Sequence, residues 1–235
     1  MSISGRNEFP RIFELRDLLP NPLLETIAFP SLDETSMRLP QKRKFLRDLE
    51  VELQGLDPSA WAALKAKLMP KKHKTRVLEP LYDLLNEAKA YNYLKRIGCV
   101  NIHFIPASQV TGKKTPDLGA DAEGRKVLCD VKTINRSDDE VHRANTGGVR
   151  TTKQQLNAGF FSKLKSDLEH AKKQMLAYDN VARKIVYVIV NYDDPLHECC
   201  DLYGSQIAEF MANNPISDLE VEFDIKPPYY EAKGE

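Results

Sequence analysis

Two short segments near the middle of the chain carry the residue types that metal-assisted hydrolysis requires. Pro116-Asp117 is followed by Asp130-Val131-Lys132, which lies inside the apolar run VLCDVKTI. Because successive side chains alternate between the two faces of a β-strand, Asp130 and Lys132 share one face, about 7 Å apart along the strand. A carboxylate and an ammonium in so apolar a segment are costly to bury unless they are paired or bound to an ion. The pattern therefore indicates a charged site.

The chemistry that suits these groups uses a divalent cation. Two carboxylates held within a few ångströms repel each other, and Mg²⁺, which prefers hard oxygen ligands and keeps several waters, relieves that repulsion. Mn²⁺ accepts the same ligands. A nearby lysine can orient or help to deprotonate a bound water and can neutralise charge that develops on a phosphate. Asp117, Asp130 and Lys132 therefore predict phosphodiester hydrolysis; an Asp–Lys pair that only neutralises itself is the alternative.

Hydrophobic periodicity predicts the elements that position these residues. The predicted elements are, in chain order, helices Gln41–Leu56, Ser59–Leu68 and Leu78–Ile97, strands Val100–Ile105, Asp117–Ala122 and Lys126–Ile134, helix Lys153–Tyr178 and strand Lys184–Asn191. The second and third strands are joined by a turn at 122–125, which predicts a hairpin. The polar, glycine-bearing segment 135–152 predicts a long loop. This order of elements predicts an α/β core within residues 78–192.

Glu87, in the helix that precedes the strands, is a further candidate. Leu84, Tyr91 and Leu94 lie three residues before it and four and seven residues after it, so its carboxylate borders the apolar stripe of the helix. A glutamate that is simply solvated at the edge of that stripe is the alternative interpretation.

The Pro-Asp and Asp-X-Lys segments on neighbouring strands resemble the PD-(D/E)XK nuclease superfamily, which has the restriction-endonuclease-like fold. The segment NEAKAYNYLKRIG around Glu87 is similar to the first helix of that family. The resemblance covers about residues 78–192. It implies a core of a helix, a three-stranded meander, a second helix and a further strand, preceded here by a mainly helical and extended N-terminal region.

The resemblance also implies a site and an activity. Asp117 and Asp130 would bind Mg²⁺, Glu87 would assist the metal or its water, and Lys132 would orient or activate the attacking water. The activity implied is that of a metal-dependent endonuclease that hydrolyses nucleic acid, with DNA the favoured substrate. The alternative is a nuclease-fold module that binds nucleic acid or a protein partner without cleaving. The sequence does not show whether the substrate is DNA or RNA, or whether it is single-stranded, double-stranded or branched. It also leaves open the sequence specificity, the biological role and the oligomeric state.

The sequence predicts three regions: residues 1–77 as an N-terminal arm and helices, 78–192 as the nuclease-like core, and 193–235 as an acidic C-terminal segment. Eight of the 14 prolines lie in the first 80 residues, which predicts an extended arm over residues 1–39. Apolar side chains along that arm would contact the body of the protein, a protein partner or a second copy of the chain.

The net charge of the 235 residues is zero, but its distribution is uneven. Residues 1–190 hold 32 basic and 23 acidic residues, and residues 191–235 hold 2 basic and 11 acidic ones. A basic body is compatible with binding to phosphates. Four polar residues in the first half of the second core helix are candidate nucleic-acid contacts: Lys153, Gln155, Lys163 and Lys165. A solvated helix face is the alternative.

Several other classes of protein are disfavoured. No run of apolar residues approaches the roughly 18 that a membrane-spanning helix needs, and the N-terminus lacks the apolar region of a secretory signal. The cysteines, two of which are adjacent, make a poor disulfide framework, so a cytoplasmic location is expected. The chain contains no dinucleotide-binding, P-loop or nucleophile-elbow motif.

Overall fold

A computed structural model of the protein describes residues 3–18, 40–67, 79–108, 110, 114–134, 154–191 and 199–226. The helices are α1 Ile3–Glu8, α2 Pro10–Leu18, α3 Pro40–Gln54, α4 Pro58–Lys67, α5 Glu79–Arg96, α6 Ala158–Tyr178 and α7 Cys200–Asn213. The strands are β1 Val100–Phe104, β2 Leu118–Ala122, β3 Arg125–Ile134, β4 Arg183–Asn191 and β5 Glu220–Lys226. The helices and strands predicted between residues 41 and 191 are confirmed to within a few residues at their ends. No helix in these segments is long and apolar enough to cross a membrane.

The strands form one five-stranded mixed sheet in the order β1-β2-β3-β4-β5. β1 pairs with β2 in antiparallel fashion, whereas β3 pairs with β4, and β4 with β5, in parallel. The turn from β2 to β3 places Glu123 at φ 51° and Gly124 at φ 74°, and positive φ at both central residues is what a tight type I′ hairpin turn requires. The protein is therefore of the mixed α/β class.

The chain divides into two compact units. Of the described residues, one unit comprises those up to 104 together with β2, and the other comprises those in 105–117 and from 123 to 226. In the first unit, α2 packs against α3, and α4 packs against α5. Fully buried apolar side chains from these helices build its core: Ile12, Leu15, Leu46, Leu53, Leu64, Leu85 and Leu94.

The start of the chain differs from the predicted extended arm, because residues 3–18 form helices α1 and α2. Pro10 occupies the first helical position of α2, where its missing N–H would have no partner in any case. Glu50 of α3 accepts hydrogen bonds from the backbone N–H groups of Arg11 and Ile12 at 3.1 and 3.0 Å, which satisfies the next two donors of α2. The rest of the predicted arm, residues 19–39, lies outside the described residues.

In the second unit, α6 covers one face of β3 and β4. Leu164, Leu168 and Ala171 of α6 are fully buried in one apolar cluster with Leu128 of β3 and Val186 of β4. The helix starts at residue 158 rather than 153 because Asn157 caps it. The Asn157 Oδ1 atom accepts a hydrogen bond from the Phe160 N–H at 2.8 Å. The predicted loop 135–152 lies outside the part of the chain that the structure describes.

The C-terminal segment contributes to the core, which differs from the prediction of a core that ends at residue 192. Cys199, Tyr203 and Ile207, at the start of and within α7, belong to the same buried cluster as α6. β5 pairs in parallel with β4 along its whole length, with Glu220 opposite Ile185 and Lys226 opposite Asn191. The strand was missed because only the net charge of this segment was considered. Its acidic and apolar residues alternate as in a strand: Glu220, Glu222 and Asp224 with Val221, Phe223 and Ile225.

Candidate active site

Asp117 is fixed against the middle of β3. Its backbone N–H donates to the Cys129 carbonyl at 3.1 Å, and its own carbonyl accepts from the Ile105 N–H at 2.9 Å. Its Oδ2 atom accepts a hydrogen bond from the Val131 N–H at 2.7 Å. Because Val131 lies between Asp130 and Lys132, this contact places the Asp117 carboxylate next to that part of β3. Asp117 and Asp130 both interact electrostatically with Lys132, and the roles assigned to the three residues stay predictions.

Asp130 is almost fully buried, with 1% of its surface exposed. Its Oδ1 atom accepts a hydrogen bond from Gln174 Nε2 at 3.1 Å. Its Oδ2 atom lies 2.6 Å from the Lys132 ammonium, and it accepts no hydrogen bond of regular geometry from the described residues. The close contact at Oδ2 is therefore an ion pair, and this oxygen keeps lone pairs that a cation could use.

Lys132 is the positive charge of the site. Burial lowers the pKa of Lys132, but the negative charges of Asp130, Asp117 and Asp167 together outweigh burial and raise that pKa above its ordinary value. The side chain is 26% exposed. A charged donor at the edge of the site is thus accessible to a molecule that approaches from solvent.

Two residues of α6 take part that were not predicted from the sequence. Gln174 Nε2 donates both to Asp130 Oδ1 and to the Thr115 carbonyl, the latter at 2.6 Å. Asp167 lies seven residues earlier, about two helical turns, and so on the same flank of the helix. The signal for Gln174 was present, because its neighbour Met175 is on the buried stripe of α6 and Gln174 follows Ala171 by three residues.

Glu87 lies in the first unit and borders the buried stripe of α5, as its spacing predicts. Its Oε2 atom is 2.5 Å from the Lys67 ammonium of α4, and its side chain is 15% exposed. The Lys67 ammonium also lies 4.9 Å from the centre of the Phe104 ring. Glu87 is therefore an ion-paired, partly buried carboxylate rather than a solvated one, and its role toward a metal stays a prediction.

Three of the four candidate nucleic-acid contacts lie within the described residues, and Lys163 and Lys165 lie on different sides of α6. Gln155 is exposed and precedes α6. Lys163 donates to Asp167 at 2.9 Å, whereas Lys165, two residues further on and so about 200° around the helix, lines a groove on the other flank. Lys153 lies outside the described residues. The predicted basic stripe along α6 is therefore divided between two sides of the helix.

The donor set at Asp117 and Asp130 fits a hard divalent cation. Mg²⁺ is commonly held by one or two carboxylates and completes its octahedron with waters and substrate oxygens. Within the described ranges, no group of three or more His, Cys, Asp or Glu side chains could hold a metal ion. Asp117 and Asp130 offer the hard oxygen donors that Mg²⁺ and Mn²⁺ accept, and the metal stays a prediction.

Comparison of this chain with known protein families, with curated proteins and with solved structures gives no match.

Proposed function

We propose that this protein is a metal-dependent nuclease of the PD-(D/E)XK type, which hydrolyses phosphodiester bonds of nucleic acid, with DNA the favoured substrate. The observation that carries the proposal is the convergence of Asp117, Asp130 and Lys132. This convergence results from two contacts: the hydrogen bond from the Val131 N–H to Asp117, and the 2.6 Å ion pair between Asp130 and Lys132. The order α5, β1 to β3, α6 and β4 is also the order of a restriction-endonuclease-like core.

Each residue has a definite part in the proposed reaction. Asp117 and Asp130 hold Mg²⁺, which when bound supplies Lewis acidity and an activated water. Gln174 keeps the Asp130 carboxylate from rotating, because it donates to Oδ1 and is itself anchored on Thr115. The partly exposed Lys132 ammonium orients the water and neutralises charge on a phosphate oxygen. Glu87 assists the metal or its water from α5.

A second candidate function is a nuclease-fold module that binds nucleic acid or a protein without cleaving. The same ion pair favours it, because Lys132 already neutralises Asp130. A protein partner or a second copy at the N-terminal arm also stays a prediction. The buried cysteines Cys99, Cys129 and Cys199 form no disulfide, which is compatible with the reducing cytoplasm that we propose as the location.

The experiment that separates the two functions is a cleavage assay on single-stranded, double-stranded and branched DNA and on RNA. We expect cleavage of at least one substrate in Mg²⁺ or Mn²⁺ and none in EDTA. Binding without metal-dependent cleavage of any of them would support the non-cleaving module and overturn the nuclease. The substrate that is cut fastest would also define the specificity.

A further inference from the structure

A basic groove lies on the flank of α6 that faces away from Asp167 and Gln174. It has a volume of about 490 Å³ and lies between α6 and residues 214–217, which follow α7. Lys165, Lys172 and Lys173 of α6 line it. At about 100° per residue, Lys165 and Lys172 are about 160° and 140° around the helix from Asp167, in the same direction. The groove is therefore distinct from the candidate active site, although both adjoin one helix.

The charge of the groove favours an anion. Three lysines and one acidic residue, Glu169, line the groove, so its local net charge is positive. The Lys172 ammonium donates to the Ser217 hydroxyl at 3.0 Å, which holds it at the wall and leaves two of its three protons for other acceptors. Lys165 and Lys173 are exposed. These ammonium groups can therefore contact phosphate oxygens without any rearrangement of the helix.

Apolar residues line the groove beside the lysines. Leu176, with 39% of its surface exposed, lies in it together with Pro215 and Ile216. A simple inorganic anion would gain nothing from these side chains, whereas a polymer with charged and apolar parts would cover them. The sugars and bases of a nucleic-acid strand supply such apolar surface next to each phosphate.

We propose that this groove binds the phosphate backbone of a nucleic-acid strand beside the candidate active site. Lys165 and Lys172 are seven residues apart, about 10.5 Å along α6, which matches about three nucleotides of one strand at 3.4 Å per charge. The inference rests on the proposed function, because α6, about 10 Å wide, carries the groove on one flank and Gln174, which contacts Asp130, on the other. An acidic peptide also fits the charge, but the proposed function gives no reason to expect one.

The test measures nucleic-acid binding and cleavage separately for three forms of the full chain. These are the unaltered chain, the groove variant Lys165→Gln/Lys172→Gln/Lys173→Gln and a control variant Lys95→Gln/Arg125→Gln/Lys126→Gln. The control removes the same charge at exposed positions outside the groove. Binding is followed in EDTA with a fluorescent DNA oligonucleotide over 50 to 300 mM salt, and cleavage is followed in Mg²⁺. The thermal midpoint of each variant verifies that it is folded.

The groove variant should bind at least about tenfold more weakly at 100 mM salt. The magnitude of its negative slope of log K against log salt should decrease by about two to three, because each lost phosphate contact reduces that magnitude by about 0.7 to 0.9. The control variant should change the slope much less. If the affinity and the slope of the groove variant are unchanged, the proposed groove is wrong. Metal-dependent cleavage by the unaltered chain would still support the nuclease.

The remaining outcomes separate the two proposals. Groove-dependent binding without any cleavage would support the groove and overturn the nuclease. Absence of nucleic-acid binding would overturn the groove, and groove-dependent binding of oligoglutamate in its place would assign the surface to an acidic peptide.

Discussion

Asp130 shows how a charged side chain is accommodated in an apolar strand. It lies in the middle of an apolar strand, where an unpaired carboxylate would be prohibitively costly. Gln174 and Lys132 each hold one of its oxygens, so the charge is stabilised and its orientation is fixed. The Asp117 carboxylate is held in the same place by the Val131 N–H. Contacts within the protein thus set the geometry of the candidate site.

Replacement of Gln174 by alanine tests this arrangement directly. The Gln174→Ala change leaves the buried Oδ1 of Asp130 and the Thr115 carbonyl without their donor. We expect the free energy of unfolding to fall by about 1–3 kcal/mol, the usual cost of unsatisfied buried acceptors. Urea denaturation gives the value. The neighbouring Leu176→Ala variant, at an exposed position, serves as a control, and equal stabilities of the two variants would contradict the positioning role.

At the scale of elements, the helices and strands around the site were predictable because each carries a strong local pattern. The site pair on β3 followed from strand alternation alone, and Glu87 from helical spacing. Gln174 was missed because its position beside the buried stripe of α6 does not show, until the strand beneath is known, that its side chain contacts Asp130. β5 was missed because its acids were counted as net charge instead of being recognised as every second residue of a strand.

Asp57 is the cap of α4, and its contacts predict a pH dependence. The Ala60 N–H, the Ser59 hydroxyl and the Tyr91 hydroxyl donate to its carboxylate and lower the pKa of Asp57 from 3.8 to about 2. Because the pKa is lowered in the folded state, this stabilisation is complete above about pH 3.8 and is lost as the pH falls through 2.

The Asp57→Ala variant should therefore be less stable than the unaltered protein by about 0.5–2 kcal/mol at pH 7, the range for lost N-caps. The difference should shrink between pH 4 and pH 2. Chemical denaturation at several pH values measures it. A difference that stays constant over this range would show that the carboxylate contacts do not contribute.

At the scale of the whole molecule, the net charge of zero does not show where the acidic and basic residues lie. The acidic C-terminal segment supplies α7 and β5 to the second unit, so removing it would expose core surface instead of trimming a tail. The basic residues next to the site are likewise divided, with Lys163 and the groove lysines on separate flanks of α6. Charge totals for the chain therefore say little about where a phosphate would bind.

Adjacent residues of α7 test whether the C-terminal segment is part of the fold. Tyr203 is fully buried, and Leu202 is 45% exposed. We expect Tyr203→Ala to lower the free energy of unfolding by about 3–5 kcal/mol, as for other large aromatic truncations in a core, and Leu202→Ala to change it much less. Thermal and urea denaturation provide both values. Similar small losses for the two variants would contradict the packing of α7 in the core.

The most direct test of the proposed nuclease compares two lysines of β3. Lys132 contacts Asp130, whereas the Lys126 side chain is 74% exposed at the start of the strand. Single-turnover cleavage in Mg²⁺ should be abolished, or reduced at least about a hundredfold, by Lys132→Ala, and it should be nearly unchanged by Lys126→Ala, with both variants folded. Undiminished cleavage by Lys132→Ala would contradict the assignment of Asp117, Asp130 and Lys132 as the catalytic site.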